Sequence, residues 1–161
     1  MCGRWIVPTA ERLKQIDHTY LRMASEWGSL SRSARTQVGC LVVRGDHIIS
    51  DGYNGTPSGF DNRCEDSDGK TKPEVLHAES NAVAKLARST MSSVGSTVYT
   101  TVSPCLECAK LLIQAQVSRV VFAEHYRDAA PGIALLRRAN IQVTHCPDAL
   151  EEPLTDWVGS R

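Results

Sequence analysis

TVYTTVSPCLECAKLLIQAQVSRVVFAE, residues 97–124, is the stretch whose reading decides the fold class. Residues 97–102 are β-branched or aromatic and residues 119–124 enclose an apolar run between Arg119 and Glu124, so both ends read as strands. Residues 104–116 between them read as a helix opened by Pro104, a residue type best tolerated in the first helical turn. Strand, helix and strand in succession imply parallel pairing in a sheet covered on both faces. The same alternation continues in both directions. Downstream, residues 131–139 predict a helix and 141–144 a strand, followed by a polar tail, 147–161, in which Leu154 and Trp157 are the apolar docking groups. Upstream, residues 75–89 predict a helix, and 38–43 with 47–49 predict a hairpin turning at Arg44-Gly45-Asp46. Residues 9–30 place Leu13, Ile16, Tyr20, Met23, Trp27 and Leu30 at steps of three or four, the mark of an amphipathic helix. From 52 to 73 the chain is glycine-rich and polar, with Asn54, Pro57 and Ser58, and reads as a long loop. Loops above about 15 residues inside a domain are commonly functional.

Composition sets the outer bounds. The 161 residues amount to one domain, 1–161, with an insertion at 56–76, and a chain of this size buries roughly two-thirds of its unfolded surface. Hydrophobic residues at 42 % and charged residues at 22 % exclude collagen, coiled coil and wholesale disorder. No apolar run approaches the roughly 20 residues that span a bilayer, and Met1-Cys2-Gly3-Arg4-Trp5 lacks the apolar stretch of a secretory signal. A soluble, cytoplasmic protein without a membrane partner is expected. Eighteen basic against eighteen acidic residues give zero formal charge with no long like-charge run, which argues against large nucleic acids as partners. A small anion needs only one or two arginines. Six cysteines, Cys2, Cys40, Cys64, Cys105, Cys108 and Cys146, are too sparse for a disulfide scaffold; in an intracellular chain the closely spaced pair suggests metal.

Two short pieces carry the chemistry: His77-Ala78-Glu79 and Pro104-Cys105-Leu106-Glu107-Cys108, each at the start of an expected helix. Thiols three apart share a helix face, and the positive helix N-terminus favours the thiolate form. Two thiolates and an imidazole select zinc, with sulfur about 2.3 Å from the ion. A structural zinc is normally closed by four protein groups, whereas a catalytic one keeps a position for water and lowers its pKa to about 7. His77, Cys105 and Cys108 make three. Glu79, two residues from His77, is expected as a proton shuttle rather than a ligand. Residues 80–103 accommodate the rest of one helix and a strand, so two neighbouring helices on one sheet face can join the pieces. The competing arrangement is a closed structural zinc with a fourth ligand such as Cys64 and no role for Glu79. His18 and His47 read as core or surface residues, Cys40 as a buried small hydrophobe, and Glu107 as solvated. Cys2, Cys64 and Cys146 read as free thiols, with a second metal site as the alternative.

H-x-E followed by P-C-x-x-C marks the zinc deaminases of cytosine and adenine, and the chain resembles the deoxycytidylate (dCMP) deaminases of the cytidine deaminase superfamily. The likeness covers most of residues 10–145. It rests on Val38-Gly39-Cys40-Leu41-Val42-Val43, Gly52-Tyr53-Asn54-Gly55-Thr56-Pro57, His77-Ala78-Glu79-Ser80-Asn81-Ala82 and Val102-Ser103-Pro104-Cys105-Leu106-Glu107-Cys108-Ala109-Lys110. The zinc blocks identify only the superfamily; the second block and the insertion before His77 point to the dCMP branch, since tRNA adenosine deaminases usually lack that insertion.

The resemblance implies an α/β fold, a three-layer α/β/α sandwich around a five-stranded mixed sheet. It also implies a homo-oligomer, often a hexamer, and zinc-dependent hydrolysis of dCMP to dUMP and ammonia in supply of thymidylate synthesis. It places the sugar on Asn54, the phosphate near Arg35, and the nucleotide against Tyr126 and Arg127, although both arginines read equally well as solvated charges. Backbone groups at Ala78, Ser103 and Cys105 would orient the oxygen and the leaving amine. Many relatives are activated by dCTP with Mg2+ and inhibited by dTTP, and residues 55–68 are the corresponding stretch; no residue there decides the matter. Two other classes stay open. A tRNA or single-strand editing deaminase needs a basic groove and stacking aromatics, against zero charge and 6 % aromatics here. A non-enzymatic zinc-binding module would close the metal with a fourth ligand.

Overall fold

In the computed structural model, which describes residues 8–151, Thr9 opens the first helix by accepting a hydrogen bond from the Arg12 amide at 3.2 Å. That bond satisfies one of the amides left unpaired at any helix start. Helix α1 (Ala10–Gly28) buries Leu21 and Ala24 completely. It lies directly on strand β1 (Gly39–Arg44), where a Cβ on Gly39 would stand 1.7 Å from the Ala24 carbonyl oxygen. A turn at Gly45, φ +65°, leads into β2 (His47–Tyr53). Then follow α2 (Ala78–Leu86), β3 (Thr97–Val102), α3 (Leu106–Gln114), β4 (Arg119–Glu124), α4 (Ala130–Arg138), β5 (Gln142–His145) and a 3-10 turn, Pro147–Leu150.

The five strands form one sheet in the order β2-β1-β3-β4-β5. β1 runs antiparallel to both its neighbours, and β3, β4 and β5 run parallel. The parallel pairing expected of the strands that alternate with helices holds for β3, β4 and β5, and the expected hairpin supplies the antiparallel edge. The β2–α2–β3 crossover straddles β1, which leaves β2 and β3 parallel to each other with β1 reversed between them. Side chains alternate with the strand period: Cys40, Val42, Val98 and Val120 join Ala78, Ala82, Ala109, Leu112 and Leu136 of the α2–α4 layer. Leu41, Val43, Tyr99, Val121 and Ala123 face the other way, against Leu21 and Ala24 of α1 with Cys146 and Ala149. This is the three-layer α/β/α sandwich around a mixed sheet. Asp17 of α1, 3 % exposed, crosses to the sheet through a two-pronged pair with Arg119 (2.7 Å each) and accepts from the Tyr99 hydroxyl at 3.1 Å.

Several boundaries differ from the sequence reading. β2 continues to Tyr53, so Gly52 and Tyr53 belong to the sheet and not to a loop. Gly52 has no side chain because α2 crosses there: a Cβ would stand 2.1 Å from the Ala78 carbonyl oxygen. α2 starts at Ala78 rather than 75, because Leu76 exchanges two backbone hydrogen bonds with Gly55 (2.8 and 3.1 Å) and is held extended. α3 starts at Leu106, with Cys105 as its N-cap and Pro104 outside the helix. The first residues of the supposed polar tail are folded, since Ala149 buries its methyl group against α1 and Asp148 accepts from Lys14 at 2.8 Å. Cys2, Leu154 and Trp157 lie outside the described residues. Cys40 and Cys146 are core residues, His18 is fully buried, His47 is exposed, and exposed Glu107 accepts from Lys110 at 2.6 Å. Among the described residues no helix is long and apolar enough to cross a membrane.

Candidate active site

His77 and Cys105 hold the same position on two neighbouring helices: each is the N-cap, with extended backbone (φ −70°, ψ 157° and φ −69°, ψ 173°). α2 and α3 pack side by side on one sheet face, so the two helix starts meet. His77 Nδ1 lies 3.4 Å from Cys105 Sγ and 3.5 Å from Cys108 Sγ, and the Cys108 amide donates to Cys105 Sγ at 3.5 Å. A tetrahedral zinc with bonds of about 2.3 Å to sulfur and about 2.0 Å to nitrogen sets sulfur about 3.5 Å from nitrogen. The donor set and its spacing fit zinc.

The electrostatics agree with that fit. Hydrogen bonds from Cys108 and His77 pull the Cys105 thiol down to about 3, while the neighbouring Cys105 sulfur and burial push Cys108 up. The His77 imidazole is raised by its bond to Cys105. One thiolate is thus favoured even before a cation arrives. Among the described residues, His77, Cys105 and Cys108 are the group of potential metal-binding side chains, and Cys64 does not belong to it.

Glu79 occupies the first turn of α2 and is 3 % exposed; burial raises its carboxyl above the usual range. It lines a pocket of about 40 Å³ together with His77, Ala78, Ser103 and Cys105. Asn54, His77, Val102 and Tyr126 are shared with an outer cleft of about 290 Å³, whose walls include Arg35 and Arg127. A small space beside Glu79 therefore adjoins a larger cleft lined by two guanidinium groups, Arg35 and Arg127, and one carboxylate, Glu124.

Of the site residues expected from the sequence, His77, Ala78, Glu79, Ser103, Cys105, Asn54, Arg35, Tyr126 and Arg127 line one of these two spaces, and Cys108 stands behind them on α3. Asn54 follows β2; its Oδ1 accepts from the Val38 amide at 2.8 Å and its Nδ2 donates to the Thr36 carbonyl at 2.9 Å. A carboxamide with one bond at each end keeps a second lone pair and a second proton for a ligand. Ala78 is fully buried. The Ser103 hydroxyl accepts from the Tyr126 amide at 2.8 Å, so its side chain positions that wall. Tyr126 stands with its ring centroid 6.5 Å from that of His77, and the Arg127 guanidinium lies 5.9 Å from the Tyr126 ring. The sequence reading missed Ser33, Thr36, Thr71, Val75, Val102, Glu124 and His125 as lining residues. Val102 and His125 adjoin motifs already marked, whereas Thr71 sits in the insertion with no local signal.

Residues 14–124 match the family described as "Cytidine and deoxycytidylate deaminase zinc-binding region". A deoxycytidylate deaminase of Saccharomyces cerevisiae is 32 % identical over 136 residues, covering 79 % of this chain and 43 % of the yeast protein. A probable deoxycytidylate deaminase of Caenorhabditis elegans is 38 % identical over 117 residues, covering 69 % of this chain and 58 % of that one. The chain thus spans about half the length of these two curated relatives. Among solved structures, the dCMP deaminase of cyanophage S-TIM5 in complex with dCMP and dUMP superposes with a TM-score of 0.79 at 41 % identity. It covers 82 % of this chain and 97 % of the phage protein.

Proposed function

This chain belongs to the cytidine and deoxycytidylate deaminase zinc-binding family, and on that premise we propose that it hydrolyses dCMP to dUMP and ammonia, supplying dUMP for thymidylate synthesis. The observation that carries this reading is the convergence of His77, Cys105 and Cys108 beside buried Glu79, under a cleft whose mouth holds Arg35 and Arg127.

His77 Nδ1 and the two sulfurs would hold the zinc, which when bound would supply a water of lowered pKa, about 7, as the attacking group. Glu79 moves the protons. It takes one from the attacking water and delivers it to ring nitrogen 3 of cytosine, which makes carbon 4 electrophilic; the oxygen adds there. Glu79 then takes the remaining proton from the hydroxyl now on carbon 4 and hands it to the exocyclic amine; the bond from carbon 4 to nitrogen breaks, the oxygen stays as the carbonyl of dUMP, and ammonia leaves. Backbone groups at Ala78, Ser103 and Cys105 orient the oxygen and the amine, Asn54 holds the sugar, and Tyr126 borders the base. Arg35 and Arg127 receive the phosphate, to which a guanidinium offers paired donors.

A homo-oligomer, with a hexamer as its form, belongs to the same reading and is supported by apolar side chains exposed on one side. Met23, Trp27 and Leu30 are 44 %, 39 % and 53 % exposed, and Ile48 is 41 % exposed. Control by dCTP with Mg2+ and by dTTP belongs to it as well, with residues 55–68 as its place. A cytoplasmic location suits a site that needs two reduced thiols. The test is ammonia release from dCMP, dCTP, deoxycytidine and a tRNA anticodon stem, with and without added nucleotide effectors, beside metal analysis of Cys105→Ser. dCMP is expected as the preferred substrate and Cys105→Ser is expected to lose zinc and activity together. Release from the tRNA stem alone would replace this reading with an editing one, and full zinc occupancy in Cys105→Ser would remove Cys105 from the ligands.

A further inference from the structure

The segment joining α1 to β1 has no helix or strand of its own, yet it delivers Ser33, Arg35 and Thr36 to the outer cleft. Its ends are fixed by hydrogen bonds to the body of the fold. The Ser31 hydroxyl donates to the Asn54 carbonyl at 2.7 Å, the Gln37 side-chain amide donates to the Ser31 carbonyl at 2.6 Å, and the Asn54 carboxamide bridges Thr36 and Val38. Its middle is held by a single residue of the insertion. Glu65 accepts from the Ser33 hydroxyl at 2.8 Å, and both of its oxygens lie 3.2 Å from the Ala34 amide. Ser33 Oγ in turn accepts from the Arg35 and Thr36 amides at 3.4 and 3.3 Å. One carboxylate therefore organises three consecutive amides, one directly and two through a hydroxyl.

The insertion is constructed around that carboxylate. Cys64 beside it is 1 % exposed and anchors the strand-like piece, Glu65 pairs with Thr71, and the Lys72 amide donates to the Cys64 carbonyl at 2.9 Å. Asp66 closes the turn between them by accepting from the Asp68 and Lys70 amides at 2.9 Å each, and Gly69 supplies the left-handed residue, φ +74°. The Ser33 hydroxyl, the Ala34 amide and the nearby Arg35 charge hold the Glu65 carboxyl below its ordinary range.

We infer that Glu65 is a positioning residue for the anionic end of the substrate: it fixes residues 33–36 so that Arg35 is presented to the cleft, and the insertion exists in part to place it. The identity of the anion as the phosphate of dCMP rests on the function proposed above; the hold on the loop does not. Glu65→Ala leaves the metal site and Glu79 untouched. It is expected to raise KM for dCMP about 5- to 10-fold, the loss of roughly one hydrogen-bond network contact, with kcat within about twofold. Glu65→Gln keeps an oxygen that accepts from Ser33 and is expected to fall between the two. With deoxycytidine, which carries no phosphate, kcat/KM is expected to stay the same, and in an Arg35→Ala background Glu65→Ala is expected to add nothing. Amide hydrogen exchange without substrate is the second readout: exchange at Ala34, Arg35 and Thr36 is expected to quicken in Glu65→Ala. An unchanged KM for dCMP, an equal loss with deoxycytidine, or unaltered exchange would each overturn the inference. If the unmodified protein released no ammonia from dCMP, the proposed function would fail, and the exchange measurement would still decide whether Glu65 holds the loop.

Discussion

Glu79 is a carboxylic acid kept almost entirely out of water, next to an imidazole and two sulfurs, at the floor of a pocket that opens outward. Burying such a group brings no stability by itself, since desolvation disfavours its charged form. The function proposed above gives it a reason to be there, as the group that moves protons. Glu79→Gln preserves the shape of the side chain and removes that transfer, so turnover of dCMP is expected to fall by roughly 100- to 10,000-fold while zinc content stays at the unmodified level. Steady-state ammonia release together with metal analysis checks this, and near-normal turnover would take Glu79 out of the chemistry. At this scale the sequence was legible because the four chemical residues come as two compact words, each read by a helix start. Glu65 was not legible: its role depends on which loop it touches, and that loop is about 30 residues away in the chain.

At the scale of elements, the metal group is only as well placed as the two helix starts that carry it. α2 takes its position from β2, and the closest approach is at Gly52, where any side chain would meet the Ala78 carbonyl oxygen at 2.1 Å and the Ala82 amide nitrogen at 2.7 Å. Both are backbone atoms in the first two turns, so neither can swing aside without moving the helix. Gly52→Ala is therefore expected to destabilise the fold by about 1–3 kcal/mol or more, and to weaken zinc binding because His77 rides on that helix start. Urea unfolding with and without zinc measures both. If zinc affinity were unchanged, the contact between β2 and α2 would not be what sets His77. The same glycine shows where local reading fails: a Gly-Tyr-Asn-Gly run looks like a loop, but the glycine is there to let a helix backbone reach a strand. The opposite case is Pro104 with Cys105. The helix start was legible to within two residues, and the difference mattered, since as N-cap the Cys105 sulfur accepts the Cys108 amide and so gains a donor that a residue inside the helix would lack.

Across the whole molecule, the layer that bears the chemistry and the layer formed by α1 are joined through the sheet, and the strongest polar tie between α1 and the sheet is the pair Asp17–Arg119. Arg119 also donates to Thr144 on β5, at 3.1 Å, and Tyr99 on β3 adds its hydroxyl to Asp17, so one carboxylate gathers α1 and three strands. The partners are 102 residues apart in sequence, and neither looks unusual in its own neighbourhood, which is why only the folded chain reveals them. With side-chain exposures of 11 % for Arg119 and 4 % for Asp17, solvent screens the pair little. Removing one member leaves the other charge buried without its partner. Asp17→Ala is accordingly expected to cost about 3–5 kcal/mol. Replacing both, as Asp17→Leu with Arg119→Met, is expected to recover most of that loss, because the cost comes from the stranded charge and not from absence of the pair. Urea unfolding of the two single variants and the double variant measures the coupling. The site lies on the opposite face of the sheet, so kcat/KM per folded molecule is expected to hold in all three; a parallel loss of activity would mean that α1 reaches the cleft through the sheet, and a double variant no better than Asp17→Ala would mean that the pair itself holds the layers together.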